Sequence, residues 1–142
     1  MPYTISLTDA QAQVLSTACE ILARLGIGQY DDALRHLPQR DGIDWGAWHD
    51  DMRTIGEMLS RHMVNGIDGY RSSLGINHAK TSDESQVAWD MYQVIRHRLA
   101  WDRAIAAGIT DGTVRDWSQM MGVHYDKPMK SSAEPLAQIN KT

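Results

Sequence analysis

Apolar and polar positions change period several times along this chain, and each change marks an element. Tyr3-Thr4-Ile5-Ser6-Leu7 alternates with period two and predicts a short strand. Thr8-Asp9-Ala10-Gln11 is a capping-box pattern, in which Gln11 reaches back to the backbone of the cap residue. From there Val14, Ala18, Ile21, Leu22 and Leu25 recur at helical spacing, so they are expected to form the core face of a first helix. Glu20 and Arg24, four apart, form an ion pair on the other face, and Gly26 is the expected stop. A second, short helix is expected over Gln29 to Leu37, ending before Pro38. Asp44 can cap a third helix through about Val64. Its apolar face gathers Trp48, Met52, Ile55, Leu59 and Met63, with Gly56 close by to let another element approach. Its outer face carries Asp50, Arg53, Glu57 and Arg61.

Residues 65–80 hold three glycines and little periodicity, and long loops of this kind are usually functional or disordered. Thr81-Ser82-Asp83-Glu84 repeats the capping-box pattern and opens a long helix to about Ala106, with Val87, Ala88, Met91, Ile95 and Leu99 on its apolar face. After Gly108, Thr110 or Asp111 can cap a short helix carrying Val114 and Trp117, stopped by Gly122. Val123-His124-Tyr125 alternates again and is expected to pair with the N-terminal strand. The expected fold is therefore mainly α (α+β), with four to five helices and a small two-stranded pairing of the N- and C-terminal segments. A compact helical domain covers 1–130, followed by a polar, frayed tail over 131–142.

Composition narrows the function classes. A chain of 142 residues, 42% hydrophobic and 23% charged, suits one globular domain, and no internal repeat is visible. No apolar run approaches a membrane span and no signal-peptide pattern occurs; the lone Cys19 excludes an internal disulfide framework, so a cytoplasmic location is expected. A formal charge of −4 disfavours general nucleic-acid binding. Arginine outnumbers lysine ten to four and aspartate outnumbers glutamate fourteen to four. The ten aromatic residues are five Trp and five Tyr, all rings that carry a polar atom.

Candidate chemistry concentrates on the long helix and the loop before it. Arg98 and Asp102 fall on the apolar side of that helix, where a lone charge is costly. They are either a packing ion pair or an arginine aimed at a ligand by its carboxylate. Trp89, Tyr92, Arg96 and Arg103 make a second stripe: either an amphipathic edge, or a phosphate clamp with stacking rings. The loop offers Arg71, Ser72, Ser73, Asn77 and His78, small polar groups that suit an anion but match no phosphate-loop or dinucleotide spacing. The candidate ligand-binding set is thus Arg71, Ser72, Ser73, Asn77, His78, Arg96, Arg98, Trp101 and Asp102. The six histidines have no metal-ligand spacing, Cys19 reads as a packing residue, and no nucleophile elbow occurs. No metal, cofactor or catalytic residue is therefore assigned.

Three stretches carry a family resemblance: Ser6-Leu7-Thr8-Asp9 through Val14-Leu15-Ser16 to Gly26-Ile27-Gly28-Gln29, then Gln93 to Asp102, then Tyr125-Asp126-Lys127-Pro128-Met129. Together, over about half the chain, they resemble small uncharacterised bacteriophage and prophage proteins. The resemblance implies a phage-encoded accessory protein of the host cytoplasm, plausible in counter-defence, and it carries no activity over to any residue. Two functions are expected from the residues: binding and sequestering a small anionic, nucleotide-type ligand, or inhibiting or adapting a host protein through an Asp-rich or Trp-rich patch. A hydrolase using His and Asp lacks any supporting spacing. The indole-rich third and fourth helices lead us to expect a homo-oligomer.

Overall fold

The structure is a computed structural model and describes residues 2–64, 72–108, 115–116, 121–122 and 128–141. It is mainly helical. The helices are α1 (Asp9–Gly26), α2 (Tyr30–Leu34), α3 (Trp45–Ser60) and α4 (Asp83–Ala106). Their ends follow local chemistry. Gln11 N donates to Thr8 Oγ1 while Thr8 N donates to Gln11 Oε1, closing the expected capping box. The Asp44 carboxylate accepts from the amides of Gly46 and Ala47 at the start of α3. At α4 the cap is Ser82, one residue later than expected. Its Oγ accepts from Ser85 N, while Thr81 Oγ1 is used instead to hold the Gly75 carbonyl. The expected Gly26 stop also moves. Gly26 is still helical, and the left-handed turn that ends α1 is made by Gly28, at φ 85°.

α1 and α4 lie antiparallel and form the centre of the fold. At one end Arg103 of α4 donates to Gln13 Oε1 at 2.8 Å and to Asp9 Oδ2 at 3.2 Å. At the other end Gly26 lies so close to Ser85 that a Cβ added there would sit 1.7 Å from Ser85 Oγ and 2.8 Å from its Cβ. Between them Ala12 packs with Ile95 and Leu99. This approach selects the buried face of α1. Ala12, Ser16, Glu20, Ala23 and Ile27 face inward, and of the stripe expected to be core Ile21 and Leu25 are only half-buried while the rest faces out: Val14 is 69% exposed, Leu22 is 55% exposed and Ala18 is exposed. Small side chains let two helix backbones approach where Val and Leu would hold them apart.

α4 is buried on more than one side. Ala88, Ile95 and Leu99 of its expected apolar face are buried, but so are Asp90, Tyr92, Gln93, Val94, Ala100 and Ala104. The expected frayed tail supplies part of that cover. Ser131 N donates to Asp90 Oδ1 at 2.6 Å, and Ser132 donates to Asp90 Oδ2 through both its amide and its hydroxyl, at 2.9 and 2.6 Å. Seven residues on, Ile139 packs on the Ala12–Ile95–Leu99 cluster, so this segment runs along α4. A polar composition suggested fraying because its partner, a buried aspartate on a helix, cannot be identified from spacing alone.

The strand pairing of the chain ends is not seen. Tyr3 to Leu7 is not a strand, with Tyr3 fully exposed and only Leu7 packed on the core, and its expected partner at 123–125 lies outside the described residues. The short helix expected near Val114 and Trp117 is contradicted at Arg115–Asp116 (β1), which pairs antiparallel with Met121–Gly122 (β2). Gly112 and the β-branched Thr113 and Val114 give that stretch poor helix propensity. α3 ends at Ser60, short of Val64, and among its residues only Met52 and Gly56 are buried.

Two consequences can be measured. Gly26→Ala would ordinarily help a helix, but here overpacking against Ser85 outweighs the propensity gain, so chemical denaturation should show a loss of about 1–3 kcal/mol. A more stable variant would contradict the close crossing. Asp90→Ala removes the acceptor for three donors, so the terminal segment should undock. Trypsin should then cut after Lys130 at least about tenfold faster while helical circular dichroism is retained. Unchanged cleavage would show that Asp90 does not hold the segment.

Candidate functional site

Among the described residues, the loop candidates and the α4 candidates lie apart along the fold. Arg71 lies outside the described residues. Ser72, Ser73, Asn77 and His78 sit on a loop docked at the N-terminal end of α4. Leu74 N donates to the Ile27 carbonyl and its side chain is buried against Ile27, while Gln86 Nε2 holds the Ile76 carbonyl at 3.0 Å. His78 is tied locally, its Nδ1 accepting from Lys80 N at 3.1 Å, which puts the proton of the neutral ring on Nε2. Gln86 marks how far this described contact reaches along α4. Arg96 is ten residues further on, about 15 Å at 1.5 Å per residue, and Asp102 is about 24 Å away.

The α4 candidates are occupied within their own helix. Arg98 Nε donates to Asp102 Oδ2 at 3.1 Å and Nη2 engages Oδ1, a two-point pair between residues one turn apart. Trp101 Nε1 donates to His97 Nε2 at 3.2 Å, also one turn back. The second stripe is internal as well. Arg24 of α1 lies over the Trp89 ring at 5.7 Å, Trp89 and Tyr92 are 5.1 Å apart, and Arg96 lies over Tyr92 at 5.7 Å. This arginine–tryptophan–tyrosine–arginine series ties α1 to α4 by cation–π attraction. Arg103, the last member of the stripe, clamps α1.

The most buried charge in the described chain is one that spacing assigned to the surface. Glu20 is 2% exposed, with Oε1 accepting from Arg24 Nε at 2.8 Å and Oε2 lying 3.3 Å from His36 Nε2. Arg24 continues outward, donating to Gln29 Oε1 at 2.6 Å and approaching Asp32 at 3.9 Å. The i,i+4 pair was legible; its direction was not. The available signal was the row Ala12, Ser16, Ala23 and Gly26, small residues on the same side of α1 as Glu20. Cys19 sits beside this face, and burial pushes its thiol up, which keeps it protonated and suits a packing role.

One outward apolar surface is on α3. α2 and α3 are clipped together by Arg35 lying over Trp48 at 5.4 Å, and Trp48 meets Trp45 edge-on at 5.9 Å and His49 at 5.3 Å. Beyond that clip, Trp48, Asp51, Ile55 and Met58 run along one flank of α3. Trp45, Ile55 and Met58 are exposed. Among the described residues no group of His, Cys, Asp and Glu could hold a metal ion, and no helix is long and apolar enough to cross a membrane.

The two carboxylate–arginine pairs should differ sharply on truncation. Glu20→Ala strands a largely enclosed guanidinium and should cost about 3 kcal/mol or more, whereas Asp102→Ala beside the more exposed Arg98 should cost under about 1 kcal/mol. Urea titration of both variants measures this, and equal losses would contradict the placement of Glu20. No family model matches the chain, and no curated protein or solved structure is detectably similar to it.

Proposed function

We propose that this chain is a non-enzymatic adaptor or inhibitor that works by binding another protein through α3. The supporting observation is that α3 presents apolar side chains and negative charge together. Ile55 and Met58 are exposed on the flank that also carries the exposed Asp51; Asp50 and Glu57 are exposed on the same helix, and Trp45 is exposed at its start. Residues 40–61 hold five carboxylates against Arg40, Arg53 and Arg61, a net −2. The matching surface on a partner is basic, with apolar recesses for an indole and a thioether. Tryptophan commonly anchors such contacts, and methionine adapts to irregular recesses. The resemblance to phage and prophage proteins implies that the partner is a host protein, and that the binding serves counter-defence.

The other reading, sequestration of a small anionic ligand, retains one favourable feature: the Trp89 Nε1 donor is buried without a hydrogen-bond partner, between Arg24 and the Tyr92–Arg96 pair. Against it, the rings and guanidiniums of that series already face one another.

A photo-crosslinking residue at Met58, with the exposed Glu84 as control position, separates the readings. A specific partner should be captured from Met58 and not from Glu84. The purified pair should weaken as salt rises, and by about 30-fold or more in Trp45→Ala/Met58→Ala, with unchanged melting of the variant. Capture that does not distinguish Met58 from Glu84 would overturn the α3 reading. Stabilisation by mono-, di- or cyclic nucleotides that is lost in Arg96→Ala would favour the ligand instead.

A further inference from the structure

The outward face of α1 is a second apolar surface, separate from α3, and its occupant can be argued from its own pattern. α1 has three charged residues, and all three are engaged on its inner side: Asp9 with Arg103, Glu20 with Arg24 and His36, and Arg24 also with Gln29. The outer arc from Ala10 to Leu25 contains no charge. Its ridge is Val14, Ala18 and Leu22, spaced four apart and all exposed. In a chain of net charge −4, an uncharged helix face lets an identical molecule approach without bringing like charges into contact.

The ridge is also symmetric about its small residue. Ridges of the i±4 type interdigitate when two helices cross at about −50°, the commonest packing class in globular proteins. With a two-fold axis at Ala18, each alanine meets its counterpart at the point of closest approach, and Val14 lies against Leu22 of the other copy. We propose that the chain forms a two-fold homodimer through this face, α1 against α1, crossing at Ala18. Such an interface is isologous, because the same patch serves both copies. Its size sets its strength. Sixteen residues make a face about 24 Å long and one helix diameter, about 10 Å, wide. One helix pair of that size falls short of the roughly 800 Å² per partner of a standard stable interface. The dimer is therefore weak and depends on concentration, and it does not rest on the α3 reading.

Sedimentation equilibrium of the full chain from about 10 µM to about 1 mM, a range that brackets a weak interface, tests this. The mean mass should rise from 16.0 kDa toward twice that value. Ala18→Glu and Ala18→Lys place good helix formers at an exposed position, so each should retain wild-type circular dichroism. Each alone should associate at least about tenfold more weakly, because like charges then meet on the axis. An equal mixture of the two should recover association, since Glu then meets Lys only if position 18 faces its own counterpart. A wild-type chain that stays at its monomer mass throughout would overturn the proposal. So would an Ala18→Glu chain that associates like wild type, or a mixture of the two variants that fails to recover.

Discussion

The close crossing of α1 over α4 is the constraint on which the rest of this structure depends. Where Gly26 meets Ser85 there is no room for a side chain, and that distance propagates along α1. A helix held this near its neighbour has to turn small residues inward, so Ala12, Ser16 and Ala23 form the contact. The bulkier Val14 and Leu22 are then displaced to the opposite side. Burial of apolar area alone would favour the reverse orientation, at roughly 25 cal/mol per Å². The crossing is fixed instead by directional contacts toward its two ends: Arg103 on Asp9 and Gln13, and Arg24 over Trp89. Their geometry cannot be met with α1 rotated by half a turn.

Similar contacts occupy basic residues of α4 and α1. An arginine serves an anion when its fork is presented and unfilled. Arg98 is closed by Asp102, Arg103 by α1, and Arg24 by Glu20. The positive charge of Arg98 and Arg103 is paired within α4 or across to α1. Negative charge is in modest excess around α3, where residues 40–61 carry a net −2.

Helix positions were legible in the sequence and helix orientations were not, for one physical reason. Caps and stops are local: Thr8 with Gln11, Asp44 with its two amides, and Gly108 in the left-handed region each act within a turn of the chain. Facing is not local. Periodicity ranks faces by hydrophobicity, so it chose Val14, Ala18, Ile21, Leu22 and Leu25, while the structure buries the smaller residues and leaves Val14, Ala18 and Leu22 exposed and Ile21 and Leu25 half-buried. The same limit hid the docking of Ser131 and Ser132 on Asp90 and led Glu20 to be placed in solvent. The pairing of Arg98 with Asp102 was legible because both partners lie on one helix, one turn apart.

Two outward faces on one small chain have different consequences. A partner-binding surface on α3 needs only one copy. Pairing through α1 places two α3 surfaces in one assembly, with a fixed relation between them. A partner offering two matching sites would then bind the second by an intramolecular step, at an effective concentration far above that of the free chain. By linkage, that binding would also draw the weak α1 contact together, since a ligand that prefers the dimer stabilises it. The small contact area of α1 is thus suited to assembly on the partner more than to a permanent dimer in solution.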